Sequence, residues 1–413
     1  MRDVAKIEHD QALTPTPLSD SATWLQRVKL ALYQGPDFAD FKQRMNISIL
    51  LPDLRGGGAE RVNLDLAHEF ARAGHDVEFV LMQPRGELLE EAKTSFPVVD
   101  LATPRARGVP FALIRYLRRR RPDALLAAMW PLTGIAGLAA RLSGYRGRLV
   151  VSEHVDFRST PSFKAVERLA LRHLGRLIYA PCNRVVAVSN GVADSLEGVA
   201  GLPRNRIEVI HNPVRTHAPE IMCDDDQRAL EGWLHAETRL IAIGTLKRQK
   251  GFDVLLRALA DLRQRRDARL LILGEGALRG ELEVLARDLG VADSLWMLGF
   301  RSNPGTFLQH AHVFVLSSNW EGFGNVIVEA LSAGVPVVST DCPSGPFEIL
   351  EGGRYGRLVA PSDANAMASA IETTRSIGGS ATQLKARAKE FNPVKQAAYY
   401  LELLSDGKRR NDL

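Results

Sequence analysis

Two doubly wound α/β domains in tandem, facing each other across a cleft, are the architecture this 413-residue sequence predicts. Three observations lead there. From Asn46 onward, short apolar runs alternate with longer amphipathic segments, as parallel βαβ units require. The alternation pauses in a polar, acidic stretch between Thr216 and Asp226 and then restarts. Glycine-rich junctions recur where a predicted strand gives way to a predicted helix, the place where open α/β sheets hold ligands.

The elements follow in order. Residues 1–44 mix Pro, Asp and Ser with isolated apolar residues and show no sustained period, so they read as an N-terminal extension. Either Met45 is the natural start, or the extension is a mobile tail in which Trp24–Tyr33 forms a short helix. Asn46–Pro52 has the density of a buried strand, Glu60–Ala73 the period of a helix, Val77–Met82 is a strand, Phe111–Arg120 a helix and Ala124–Ala128 a strand. Leu149–Ser152 and Arg184–Val188 are further strands, with the helix Phe163–Leu177 between them. These make a first domain at 45–215, and a linker lies near 212–220. The second domain, 216–390, takes the strands Leu240–Gly244, Leu270–Leu273, Val313–Leu316 and Pro336–Ser339. Its helices are Phe252–Arg265, Glu281–Leu289, Val326–Ala333 and Ala364–Thr373. Residues 391–413 form a C-terminal helix, expected to pack back toward the first domain, and a tail.

Composition narrows the class. Hydrophobic residues at 45% and charged residues at 24% match soluble globular proteins, which excludes disorder, collagen-like repeats and a disulfide scaffold as global descriptions. Cys182, Cys223 and Cys342 are too widely spaced for a finger or a CxxC pair, so no cysteine metal site is expected and the compartment is a reducing one. No run approaches the roughly 18–20 apolar residues of a membrane span, and a signal-peptide pattern is missing, so a cytoplasmic location is expected. Residues 45–215 carry 24 Lys/Arg against 17 Asp/Glu, whereas 216–413 carry 23 against 25, so the positive charge belongs to the first half.

Three segments carry chemistry. Leu54–Arg61 holds three consecutive glycines between the first strand and the first helix, and the pattern serves either a phosphate contact or a bare tight turn. It is not GxGxxG, and no acidic residue stands at a ribose-reading position about 20 residues on, which disfavours a nicotinamide dehydrogenase. Ile243–Gly251 places Lys247, Arg248 and Lys250 in one loop beside a helix start, with Lys250 before Gly251 as the candidate diphosphate clamp. Ser317–Ser339 puts Glu321 in a glycine-containing loop and Glu329 a turn into the following helix. Both carboxylates can then face one cleft and accept hydrogen bonds from vicinal hydroxyls, while the N–H groups of Phe323, Gly324 and Asn325 remain donors. The Asp224–Asp226 run resembles a metal-binding acidic motif but falls in the interdomain stretch, where a solvated loop is expected.

The Glu321 to Glu329 spacing is Glu-x7-Glu. Together with Gly57-Gly58-Ala59-Glu60, Lys250-Gly251, Leu273-Gly274-Glu275-Gly276, Leu298-Gly299-Phe300 and Gly334-Val335-Pro336-Val337, it resembles the family-4 retaining glycosyltransferases of GT-B fold, in the family's order from about residue 46 to 375. The Asp341–Leu350 segment resembles the branch that builds lipid-linked oligosaccharides, capsule and other bacterial surface polysaccharides. The resemblance implies that Glu329 binds the nucleotide ribose, Glu321 the hydroxyls of the donor sugar, Lys250 the diphosphate with the Gly57–Gly58 loop against it, and His154 the transferred sugar. It likewise extends donor contacts to Gly276, Phe323, Gly324 and Asn325. Members often carry Gly-Arg-Leu before the lysine; Thr245 stands at the arginine place here, leaving Lys247 or Arg248 to supply the second positive charge.

The resemblance implies front-face substitution, in which the leaving phosphate oxygen takes the acceptor's proton and no metal or other cofactor takes part. Double displacement would instead need a carboxylate nucleophile about 3 Å from the anomeric carbon. The expected partners are a nucleotide-sugar donor, a glycan acceptor tethered to polyprenyl diphosphate, and an anionic membrane surface met by Arg115, Arg118–Arg121 and the basic amphipathic 163–177 segment. An ordinary amphipathic core helix accounts for those segments equally well. Nucleic acid is not expected, because no aromatic residues interleave with the arginines. The alternatives are a sugar-nucleotide epimerase of the same fold and a non-catalytic scaffold.

Overall fold

The computed structural model describes residues 43–405 apart from 162, 164, 217, 218, 378 and 379. Of the expected N-terminal extension only Gln43 and Arg44 fall among these; the Trp24–Tyr33 helix and the tail beyond 405 lie outside the described residues.

Seven strands form the first sheet: β1 (Asn46–Leu51), β2 (Asp76–Leu81), β3 (Val98–Asp100), β4 (Ala124–Ala128), β5 (Arg148–Glu153), β6 (Arg184–Ala187) and β7 (Ile207–Val209). Their order is β3-β2-β1-β4-β5-β6-β7 and every pairing is parallel. The connecting helices are α1 (Gly58–Arg72), α2 (Leu89–Ser95), α3 (Val109–Arg120), α4 (Leu132–Ser143), α5 (Ala165–Tyr179) and α6 (Asn190–Ala200). Ile47, Ile49, Leu50 and Leu51 are all buried, as a strand covered on both faces demands. Burying each such side chain contributes about 1.5–3 kcal/mol.

Two short helices, α7 (Asp224–Ala229) and α8 (Glu231–Leu234), lead into the second sheet. Its strands are β8 (Thr238–Ile243), β9 (Ala268–Leu273), β10 (Leu295–Gly299), β11 (Val313–Leu316), β12 (Val337–Thr340) and β13 (Arg357–Val359), ordered β10-β9-β8-β11-β12-β13 and all parallel. The helices α9 (Phe252–Arg263), α10 (Arg279–Asp288), α11 (Gly305–Leu308), α12 (Asn325–Ala333), α13 (Pro346–Ile349), α14 (Ala364–Ile377) and α15 (Ala381–Ala388) accompany it. The last helix, α16 (Pro393–Ser405), returns to the first sheet: Tyr400 and Ser152 share a hydroxyl hydrogen bond of 2.9 Å, and Arg148 Nε donates to the Leu403 carbonyl at 2.7 Å. In each sheet the order reverses beside the first strand, at β1/β4 and at β8/β11, so ligand crevices open at the carboxyl ends of those strands.

Three expectations need correction. The acidic run Asp224–Asp226 is not a loop but the first turn of α7, where three carboxylates complement the helix dipole and Asp226 accepts a 2.8 Å bond from Arg301. The helix expected from Phe163 begins at Ala165: Phe163 is buried against the Phe157 and Trp130 rings, and Lys164 lies outside the described residues. Helices α2, α4, α6, α8, α11, α13 and α15 and strands β3, β7, β10 and β13 stand where none was expected. Alanine and glycine make up much of α4, and its mixed pattern offers no clear polar face to read.

Candidate active site

The carboxyl ends of the two sheets meet at a set of direct contacts. Asn325, the first residue of α12, donates to the Gly58 carbonyl at 3.4 Å through its side-chain nitrogen and accepts from Asn212 at 2.8 Å. Ser189 caps α6 by accepting from the Val192 N–H and donates to the Gly322 carbonyl at 2.8 Å. Gly322 itself lies so close to the His154 carbonyl that a Cβ there would overlap it, so only glycine fits between the two domains at this point. The loop carrying Glu321 is thus seated on the ends of β5 and α6.

Lys250 and Glu321 form the electrostatic centre. The lysine Nζ donates to Glu321 Oε1 at 2.6 Å, and Ser318 Oγ donates to the same oxygen at 2.6 Å. Both charged side chains are largely buried, at 14% and 9% exposure. Lys247, from the same loop, is lowered from its ordinary value by burial and by Lys250, against the pull of Glu321 and Glu60. Lys247 is itself exposed, and its charge couples to Lys250, Glu321 and Glu60 at the cleft edge. Arg248 turns to the outer surface: it is 82% exposed and reaches Glu281 on α10 at 3.5 Å. Thr245 is exposed and its carbonyl accepts the Lys247 N–H at 2.8 Å. Gly276 packs on the backbone of Leu246 beneath this loop.

Glu329 keeps some exposure between α12 and α1, where burial, reinforced by Asp65 and opposed by Arg61, pushes its carboxyl up to about 7. Asp65 is buried, 3.2 Å from Arg215 Nε, and is raised to about 6, chiefly by burial. Glu60 folds back over Gly57 at the start of α1, and burial raises it as well. The α1 N-terminus, read from sequence as either a phosphate contact or a bare tight turn, thus already carries a carboxylate of its own.

His154 follows β5. Burial lowers it to about 4, so the ring is neutral at physiological pH, and its Nε2 lies 3.2 Å from Ser152 Oγ. Its neighbour Glu153 is fully buried, accepts from Tyr179 at 2.6 Å and is raised by burial to about 7. Phe323 is buried and stacks on His211 with ring centroids 5.2 Å apart, so the donors it and Gly324 offer are backbone groups at the α12 N-terminus. The structure therefore gathers Lys247, Lys250, Glu321, His154, Asn325 and the Gly57–Gly58 loop at one cleft, sets Glu329 against α1, and leaves Arg248 outside.

Asn212, Ser189 and Asp65 were not legible as site residues. Their positions depend on which strand ends the fold apposes, which no local pattern reveals.

Comparison with known proteins agrees with this geometry. The profile described as Glycosyltransferase Family 4 matches residues 56–218, and that described as Glycosyl transferases group 1 matches 237–375, together most of the chain. The chain belongs to the family-4 retaining glycosyltransferases of GT-B fold and is a nucleotide-sugar-dependent transferase. Among its relatives is the N-acetylgalactosamine-N,N'-diacetylbacillosaminyl-diphospho-undecaprenol 4-alpha-N-acetylgalactosaminyltransferase of Campylobacter jejuni, 27% identical over 87% of this chain and 99% of that one. Another is the lipopolysaccharide core biosynthesis glycosyltransferase LpsE of Rhizobium meliloti, 28% identical over 85% and 96%. HepE of Anabaena, solved with UDP and glucose, shares the fold at a TM-score of 0.74, with 22% identity over 88% of this chain and all of that one. These relationships favour the transferase over the epimerase and scaffold alternatives.

Proposed function

We propose that this glycosyltransferase extends a glycan carried on polyprenyl diphosphate during assembly of a bacterial surface polysaccharide, with its first domain resting on an anionic membrane at the cytoplasmic face. The supporting observation is a set of exposed apolar side chains on three consecutive helices of that domain, each packed on the next. Phe111 on α3, Leu138 and Leu142 on α4, and Val166, Leu169, Leu174 and Leu177 on α5 are all exposed, from 49% to 76%. Val166, Leu169 and Leu177 recur at helical spacing along one face of α5, while Leu171 turns inward, so a core-facing amphipathic helix does not account for them. Exposed Arg119, Arg120, Arg121, Arg141 and Arg172 accompany this surface, the combination that anionic interfaces attract. No helix of the described residues is long and apolar enough to cross a membrane. Relatives named for undecaprenol-linked and lipopolysaccharide-core substrates support the same acceptor class.

In this reading the bond from the anomeric carbon to the diphosphate breaks as the acceptor hydroxyl attacks on the same face. The acceptor proton passes to the departing phosphate oxygen. Lys250, Lys247 and the N–H groups at the start of α12 stabilise the charge that grows on the leaving group, with no divalent ion. Glu321 and the neutral His154 hold the transferred sugar, and Glu329 accepts from the ribose. The test is a mass-spectrometric screen of sugar nucleotides against polyprenyl-diphosphate-sugar acceptors and matched soluble sugars. Transfer confined to soluble sugars would overturn the proposed acceptor.

A further inference from the structure

Donors of the first domain converge on one carboxylate of the second. Glu348, on α13, accepts the Asn190 backbone N–H at 3.0 Å, the Asn190 side-chain amide at 2.8 Å and the Gly191 N–H at 3.3 Å, and His211 Nε2 lies 3.2 Å away. Asn190 and Gly191 open the eleven-residue helix α6, so the carboxylate also meets the positive end of that helix. Burial alone would raise Glu348, but hydrogen bonds from His211 and Asn190 outweigh it and hold the group below its ordinary value. It is ionised at neutral pH.

The same segment grips the loop that carries Glu321. Pro343 accepts the Glu321 N–H at 3.4 Å. Gly345, at φ 94°, packs so tightly on the Phe323 carbonyl that a Cβ there would overlap it, and Ser344 presses on Gly191 while donating to Asp156 at 3.1 Å. Arg387 secures the far side of α13 by donating to the Glu348 and Ile349 carbonyls at 2.7 and 2.9 Å. His211 completes the connection, because the ring that faces Glu348 also stacks on Phe323. Glu348 therefore ties the α6 terminus to the Glu321–Phe323 loop, beside the direct bond from Ser189 to the Gly322 carbonyl.

We propose that Glu348 is a positioning residue: its carboxylate spans the cleft and holds the Glu321–Asn325 loop in register with the α6 end of the first domain, aligning the donor sugar with the acceptor. The inference rests on the transferase reading above, yet the coupling itself is read from contacts between residues of this chain. Glu348 touches no reacting atom in this scheme. Its effect reaches the chemistry through loop position, and loss of such charge-assisted bonds lowers turnover by about 10- to 100-fold.

Hydrogen exchange on the full chain tests it. Glu348→Ala is expected to raise amide exchange at least about tenfold both at Asn190–Val192 and, at a distance, at Gly322–Asn325, with the strand cores unchanged. Glu348→Gln, which keeps one acceptor oxygen, is expected to show the same pattern more weakly, as is Asn190→Ala. In turnover assays kcat is expected to fall about 10- to 100-fold while the affinity for uridine diphosphate stays within about threefold. Faster exchange at Asn190–Val192 alone would reduce Glu348 to an ordinary helix cap and overturn the proposal. A parallel loss of nucleotide affinity and kcat would place it in the donor pocket and do the same. If the parent enzyme transfers no sugar, the exchange pattern still decides the coupling, and only the transferase reading falls.

Discussion

The Lys250 ammonium and the Glu321 carboxylate, from the loops after β8 and β11, form a 2.6 Å ion pair largely shut off from solvent. Each neutralises the other, so removing one leaves a buried charge with little compensation. Lys250→Ala is therefore expected to lose about 3–5 kcal/mol of stability as well as turnover. Glu321→Gln combined with Lys250→Met should recover most of the stability and none of the activity. Thermal melts beside turnover assays check this. A catalytic loss of about 10²–10³-fold in the fraction that stays folded assigns the lysine to leaving-group charge rather than to folding.

Arg248 and Lys247 differ in their charge partners: the first reaches Glu281 on the surface, and the second couples to Lys250, Glu321 and Glu60. Lys247→Ala is expected to lower kcat/KM by at least about tenfold, and Arg248→Ala to change it less than about twofold. The reverse ranking would restore Arg248 as the partner cation. Full turnover in excess chelator is expected in the parent enzyme; strict dependence on an added divalent ion would contradict transfer driven by these lysines.

Glu329 and Asp65 are both raised, to about 7 and about 6, mainly by burial; the charge of Asp65 adds to the first, while Arg215 and Arg61 oppose the second. Folded, they hold protons more tightly than in the unfolded chain, so their contribution to stability is fully present below the ordinary carboxylate range and is lost as pH rises through 6 and 7. The slope is about 1.4 kcal/mol per pH unit for each proton involved. Melting of the ligand-free parent between pH 5 and 8 should show this decline, and Glu329→Gln with Asp65→Asn should flatten it. An unchanged profile in the double variant would mean that neither group titrates there.

Much of this molecule is readable from local pattern. The buried strands β1, β4, β8 and β11 announce themselves as apolar runs, and the junctions after them carry Gly57, Lys250 and Glu321, because chemistry in such folds gathers at strand ends. What local pattern cannot supply is the partner across the cleft. Asn325 reads as a backbone donor, yet its side chain joins Gly58 to Asn212; Arg248 reads like Lys247, yet it pairs with Glu281 on α10. Glu348 follows Pro346 in a four-residue helix, too short to show a period, and its bonds to Asn190 and Gly191 form only because α6 begins opposite it.

The apolar stripe on α5 leads to the last prediction. A soluble acceptor would leave no reason for Val166, Leu169, Leu174 and Leu177 to stay uncovered beside Arg172, whereas insertion into a headgroup region gives each buried methylene about 0.8 kcal/mol and each nearby arginine about 1 kcal/mol. Binding to vesicles should therefore need both anionic lipid and the leucines. Leu169→Gln with Leu177→Gln is expected to weaken co-sedimentation at any salt concentration, because it removes apolar contact. Glutamine at Arg118–Arg121 is expected to weaken it mainly at low salt, since shortening the Debye length from about 10 Å to about 3 Å already screens those charges in the parent. Neither set should alter nucleotide affinity, as the Lys250 loop belongs to the other sheet. Co-sedimentation indifferent to lipid charge, to salt and to both sets of substitutions would detach α5 from the membrane and make a soluble acceptor the better reading.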